Sequence, residues 1–217
     1  MPERIIITGG NGSLARSVAA FFAESAYAPH ILAPSRKELD VTNVAQVKEY
    51  FRIHHCDLLI AMAGACDDEL LLKTTEQQWD SLIQSNLTGA ALCAQQASRA
   101  MLKQRRGHIV FVSSYAALHP SYGQVAYASA KAGLIGLSKS LAQELGPANV
   151  RVNVLFPGFL ENRMTAPLSS TRKEEVKSLH CLQRFNTDAE VCAFLEALHF
   201  RLPHTSGQIF NLDSRIL

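Results

Sequence analysis

Ser114, Tyr127 and Lys131 are a hydroxyl, a phenol and an amine carried close together in the chain. Tyr127 and Lys131 stand four residues apart, so on a helix they share one face. A free phenol has a pKa of about 10 and exchanges protons poorly at neutrality. An ammonium beside it favours the phenolate and is expected to draw that value down. A phenol tuned in this way can hand a proton to a carbonyl oxygen as hydride arrives at the carbon. Ser114 can hold that oxygen while negative charge develops on it. An isolated Tyr-x-x-x-Lys is most often an ordinary surface pair, so the surrounding elements decide whether this chemistry is credible.

Those elements have the required pattern. His108 to Val112 is a short apolar run of strand type that ends at Ser113-Ser114. Val125 to Leu145 predicts a helix, with Ala130, Leu134, Leu137, Leu141 and Leu145 recurring at three- and four-residue steps. The loop between them can bring Ser114 over the Tyr127–Lys131 face. The three groups then meet at the C-terminal edge of a sheet, where open α/β folds bind ligands.

The start of the chain predicts a dinucleotide site. Arg4-Ile5-Ile6-Ile7 reads as a strand buried on both faces, followed by Thr8-Gly9-Gly10-Asn11-Gly12-Ser13-Leu14-Ala15 and a helix from about Ser13 to Tyr27. In the order strand, glycine turn, helix, the residues Gly9, Asn11, Gly12, Ser13 and Leu14 would approach a pyrophosphate at the helix N-terminus. A second strand over His30 to Leu32 exits through Ser35 and Arg36 with no carboxylate at its end. A carboxylate there would bind a ribose 2′-hydroxyl; arginine and serine suit a 2′-phosphate instead, which favours NADPH over NADH. Lys37 to Thr42 follows at once, so the second crossover is abbreviated and the third strand is very short or missing. Asp40 and Val41 would lie near an adenine ring, and Asp40 can equally cap a helix over Thr42 to His55.

Asp57 to Gly64 is the next strand, whose Ala63-Gly64 end would let a ribose lie against the backbone. A long helical stretch covers roughly Thr75 to Gln104. Asn86 lies inside it, a mediocre helix residue that is either a polar surface residue or one that puts its side chain or a bent backbone next to the active-site lysine. Lys103, Arg105 and Arg106 close that helix. They suit a helix C-terminus, with Gly107 as the stop, or a docking patch for an acidic carrier protein. Asn149 to Phe156 is a further buried strand, and the turn through Pro157, Gly158 and Leu160 could wall a nicotinamide. Arg163 to Cys181 reads as a mobile helical lid that selects substrate. A helix over Thr187 to Phe200 and a strand over Gly207 to Leu212 complete the chain.

Composition narrows the class. With 217 residues, 47% of them hydrophobic, and a net charge of +2, a single domain over 1–217 with a substantial core is expected, and neither a nucleic-acid binder nor a membrane-surface protein. No signal peptide is expected before the first strand, and no apolar run is long enough to span a bilayer. The five scattered cysteines lack any Cys-x-x-Cys and are expected to be reduced thiols in a cytoplasmic protein. His54-His55 lacks further ligands at workable spacing, so no metal site is expected.

Taken in order, these pieces resemble a short-chain dehydrogenase/reductase of the classical type, most closely the 3-oxoacyl-acyl-carrier-protein reductases. The resemblance rests on Ala130 through Ala142, on Asp68 to Leu72 with Glu76 to Asn86, and on Val152-Asn153-Val154 through Met164-Thr165. It implies a Rossmann-type doubly wound parallel sheet in three layers and a catalytic tetrad of Asn86, Ser114, Tyr127 and Lys131. In it Tyr127 is the proton donor, Lys131 lowers its pKa and binds the nicotinamide ribose, and Asn86 positions a relay water. It also implies a homo-oligomer, dimer or tetramer, built on the two long helices. The chain departs from the family's Thr-Gly-x-x-x-Gly-x-Gly at Ser13 and Ala15, and from its Asn-Asn-Ala-Gly at Ala61-Met62. The expected function is NADPH-dependent reduction of a 3-oxoacyl thioester in fatty acid or polyketide biosynthesis. The alternatives are another ketone or alcohol as substrate, or a catalytically weak NADP-binding sensor.

Overall fold

Six parallel strands form one sheet in a computed structural model that describes residues 2–216. The strands are β1 (Arg4–Ile7), β2 (His30–Leu32), β3 (Leu58–Ala61), β4 (Gly107–Val112), β5 (Val150–Phe156) and β6 (Ile209–Asn211), in spatial order β2-β1-β3-β4-β5-β6. Seven α-helices accompany them among the described residues: α1 (Ser13–Ala23), α2 (Val44–Ile53), α3 (Glu76–Ile83), α4 (Gly89–Gln104), α5 (Val125–Leu145), α6 (Ser170–Ser178) and α7 (Asp188–Phe200).

Side-chain alternation along the strands assigns the two faces. Ile5, Ile7, Leu58, Ile60, Val110, Val112 and Leu155 pack on Val18 and Phe22 of α1 and on Val191, Leu195 and Leu198 of α7. Their neighbours Ile6, Leu59, Ile109, Phe111, Val152 and Val154 pack on Val47 and Phe51 of α2, on α4, and on Leu134 of α5. Both faces are covered, which is why the strands read as continuous apolar runs.

The order reverses between β1 and β3, because the chain goes from β1 out to β2 and returns past β1. This is the switch point at which such sheets bind ligands. Among the described residues no strand follows β2 before α2, so β2 is the edge and the abbreviated crossover is real. The stretch 33–43 is too short for a helix and a strand, and it turns back with Leu39 and Val41 buried.

Two local expectations are corrected. Asn43 caps α2, accepting from the Gln46 N–H at 3.0 Å, whereas the Asp40 carboxylate accepts from Thr42 and Arg36. The α4 helix stops at Arg105, which takes the left-handed conformation with φ of 51°. Gly107 belongs to β4, where a Cβ would collide with the Met101 side chain.

Candidate active site

The C-terminal ends of β1 and β3 are joined by Thr8, whose buried hydroxyl accepts from the Met62 and Ala63 N–H groups at 3.1 Å each. These bonds supply the tie that Ala61 and Met62 cannot make with their own side chains. Gly9 follows with φ of +76° and lies so close to Ala63 that a Cβ would come within 2.8 Å of its Cα. Gly10 donates its N–H to the Pro34 carbonyl at 2.9 Å and presses on the end of β2. A Cβ there would come within 2.5 Å of the Ala33 carbonyl carbon and closer still to its oxygen. Gly10→Ala is therefore expected to displace the turn, costing about 1–3 kcal/mol. Urea unfolding checks the stability, and NADPH titration checks an accompanying loss of affinity.

Asn11 and Gly12 are exposed, Ser13 opens α1, and Leu14 packs on the sheet. Gly12 gives α1 no side-chain cap and its first turn holds no acidic residue, whereas α2, α3, α6 and α7 each start on an Asn, Thr or Ser that caps. The first N–H groups of α1 are thus open to an anion, and the glycine turn beside them leaves room for its approach. These residues fit a nucleotide pyrophosphate. Ala63 and Gly64 lie alongside, and a Cβ on Gly64 would overlap Asn86 Oδ1 and sit 3.6 Å from Lys131 Nζ.

Asn86 arrives through a break in regular helix. Gln84–Thr88 forms a π-helical turn between α3 and α4, the bent backbone that the sequence allowed for. Asn86 is 1% exposed, and its amide donates to the Ala65 carbonyl at 2.8 Å and the Leu82 carbonyl at 3.0 Å. Its Oδ1 has no protein partner. An orphaned buried acceptor calls for a bound donor, and water is the smallest that fits.

Tyr127 and Lys131 lie on the buried face of α5, with the Lys131 amine 5.7 Å from the Tyr127 ring centre. Lys131 is 5% exposed and donates to the Val112 carbonyl at 2.9 Å. The Ser113 hydroxyl donates to the Lys131 carbonyl at 2.8 Å, fixing α5 to the end of β4. Ser114 accepts from the Ala116 N–H at 3.2 Å, and its hydroxyl lies near enough to the Tyr127 phenol to favour the phenolate. Asn86, Ser114, Tyr127 and Lys131 therefore converge beside Gly64.

The electrostatics correct one expectation. Burial pushes the Tyr127 phenol up to about 12, against the downward pull of Ser114 and with further upward pressure from Cys66 and Asp68. Lys131 does not draw it down. Its own burial lowers its pKa to about 8, and its amine is turned to the Val112 carbonyl. The phenol is therefore protonated at neutral pH, the state that can donate a proton.

Other predicted residues fall nearby with mixed roles. Val41 is 7% exposed and packs against Gly89, so its side chain belongs to the core. Leu160 is likewise buried against the α1–α7 layer. Pro157 accepts from the Asn186 amide at 2.8 Å, and Gly158 turns with φ of +86° against Asp213. Lys103, Arg105 and Arg106 lie at the opposite edge of the sheet, before β4 begins, about 20 Å of strand from Ser114. Arg105 donates to the Pro147 carbonyl and Arg106 pairs with Asp57, so they serve the helix end rather than the site.

Sequence reasoning missed two features. Cys66 stands close enough to act on both Tyr127 and Lys131, and its thiol donates to Asp68 at 2.9 Å. The chain's end forms a clasp: Arg215 chelates the buried Asp213 carboxylate and stacks 3.8 Å over the Tyr115 ring, next to Ser114. His180, just beyond α6, places Nε2 2.8 Å from Asp213 Oδ1 without aligned hydrogen-bond geometry. His180 and Arg215 thus share one carboxylate, and Arg215 in turn meets Tyr115 beside Ser114. No residue type or spacing announces this, because its members are far apart in sequence.

A family model described as short chain dehydrogenase matches residues 35–173. The chain belongs to the short-chain dehydrogenase/reductase family. It is an oxidoreductase of the NAD(P)-dependent kind that acts on CH–OH groups. It is 39% identical over 211 residues to a 3-oxoacyl-acyl-carrier-protein reductase of Aquifex aeolicus, covering 96% of this chain and 85% of that one. A reductase of the same name from Staphylococcus aureus is 32% identical over 98% of this chain and 97% of its own. A crystal structure of a family oxidoreductase from Burkholderia thailandensis superimposes with a TM-score of 0.88 at 26% identity, covering 99% of this chain and 92% of the other. The parallel sheet and three-layer architecture expected from the sequence are those of this family. No helix among the described residues is long and apolar enough to cross a membrane.

Proposed function

We propose that this short-chain oxidoreductase is an NADPH-dependent ketoreductase that converts a 3-oxoacyl thioester, carrier-bound or free, to the 3-hydroxyacyl form. The observation that carries the reading is the convergence of Tyr127, Ser114, Lys131 and Asn86 beside Gly64, at the C-terminal edge of the sheet. A bound nicotinamide nucleotide supplies the hydride. Ser114 holds the substrate carbonyl oxygen, and Tyr127 delivers the proton as that oxygen becomes an alkoxide. Lys131 binds the nicotinamide ribose. Asn86 Oδ1 anchors a water through which the proton is replaced. The glycine turn and the α1 N-terminus hold the pyrophosphate, and Ser35 with Arg36 the 2′-phosphate. Residues 1–217 act as a single domain in a cytoplasmic homo-oligomer, dimer or tetramer.

One observation favours a second reading, reduction of a small free ketone. Asp67, Asp68 and Glu69 border the site, and Asp68 acts on Tyr127 itself. Such a rim repels an acidic carrier protein, and Arg105 and Arg106 face away at the far edge. The test follows NADPH oxidation at a wavelength of about 340 nm with acetoacetyl thioesters, a carrier-bound 3-oxoacyl chain and simple ketones. Thioester turnover supports the first reading, and turnover of simple ketones alone the second. NADPH binding without turnover of any ketone overturns both and favours a sensor.

A further inference from the structure

The residues assigned to the 2′-phosphate already have anionic partners within the chain. The Ser35 N–H donates to Glu38 Oε2 at 2.8 Å, and Ser35 holds the Glu38 carboxyl below its usual range. Arg36 Nε pairs with Asp40 Oδ2 at 3.1 Å. The abbreviated crossover creates this arrangement. With no helix following β2, residues 35–39 fold back in a single turn, the Glu38 and Leu39 N–H groups both donating to the Ser35 carbonyl. That turn brings two carboxylates to the end of β2, where the sequence itself shows none. Asp40 is fixed further by the Gln46 side chain, which accepts from its N–H at 2.6 Å. Glu38 is held by Ser35 alone and is free to swing away.

We infer that Glu38 is a cofactor-selectivity residue: its carboxylate occupies the Ser35 N–H of the 2′-phosphate subsite and lowers the enzyme's preference for NADPH over NADH. The inference rests on the assignment of that subsite to Ser35 and Arg36. A phosphate entering there exchanges the Glu38 bonds for its own and meets the Glu38 charge. A nucleotide with a bare 2′-hydroxyl leaves Glu38 in place and can donate to it.

Glu38→Gln separates the charge from the turn. Glutamine keeps the carbonyl acceptor for the Ser35 N–H, and the backbone bond from Glu38 to the Ser35 carbonyl does not depend on the side chain. Kd values for NADPH, NADH, adenosine 2′,5′-bisphosphate and adenosine 5′-monophosphate, measured by calorimetry on the full chain, provide a readout independent of turnover. The expected result is tightening of NADPH and the bisphosphate by roughly tenfold, the scale of one exposed like charge removed from a doubly charged ligand, with NADH and the monophosphate little changed. Equal affinities before and after the substitution, or a parallel shift in all four ligands, would overturn the inference and leave Glu38 as a turn residue. Arg36→Ala tests the underlying assignment separately. If it leaves NADPH affinity unchanged, the 2′-phosphate site lies elsewhere; if it weakens NADPH while Glu38→Gln changes nothing, the site stands and the role of Glu38 falls.

Discussion

Tyr127→Phe is expected to lower turnover by about 10³-fold, the range in which a positioned acid acts, while NADPH affinity stays within about threefold. The phenol ring is 9% exposed and packed among buried groups, so phenylalanine fills the same space. Its hydroxyl meets Ser114 and is the proton donor in the proposed reduction. Losing it removes the donor and leaves the glycine turn, the α1 N-terminus and Lys131 in place. Steady-state rates beside a fluorescence titration of NADPH test both halves. Unchanged turnover would remove Tyr127 from the mechanism.

Lys131→Met is expected to abolish turnover and at the same time to stabilise the fold. Burial lowers the Lys131 pKa from 10.5 to about 8, so the folded protein disfavours the charged form. At about 1.4 kcal/mol per pKa unit the penalty is on the order of 3 kcal/mol. The sign follows from linkage: the cost is complete below about pH 8, declines as pH rises, and is gone above the ordinary lysine value near 10.5. Methionine matches the stem but leaves the Val112 carbonyl without its donor, which returns about 1 kcal/mol. The net gain at pH 7 is about 2 kcal/mol, equivalent to a rise in Tm of roughly 4–8 °C for a chain of this length. The gap should close between pH 8 and 10.5. A variant no more stable than wild type at pH 7 would show that the buried amine is not strained by its surroundings. The expected exchange of stability for activity is one reason such a lysine is informative: nothing in the packing asks for it.

The same burial explains where sequence reasoning about the chemistry went astray. Four-residue spacing does place Tyr127 and Lys131 on one face of α5. Spacing on a helix fixes neighbours along its axis, but how deeply that face is covered depends on β4, β5 and the π-turn, which come from elsewhere in the chain. The desolvation that results outweighs any pull of the ammonium, and the phenol rises rather than falls. Asp40 shows a similar limit. Its residue type suits a cap, but Asn43 stands at the right place for the first turn of α2 and takes that role.

What the sequence determined by itself is what short-range patterning encodes. Strand runs, the glycine turn, the α5 periodicity and the motif order were enough for the parallel sheet, the family and the positions of Ser114, Tyr127 and Lys131. The shortened crossover was legible too, because too few residues separate β2 from α2 for another helix and strand. Only the tertiary structure decided the rest. It turned the Ser35–Leu39 stretch back so that Glu38 covers the Ser35 N–H, brought Cys66 near Tyr127 and Lys131, and joined His180 and Arg215 on Asp213 with Arg215 stacked on Tyr115. Each of these depends on which distant segments share a desolvated space, and the protonation states of the site follow from that burial rather than from spacing along the chain.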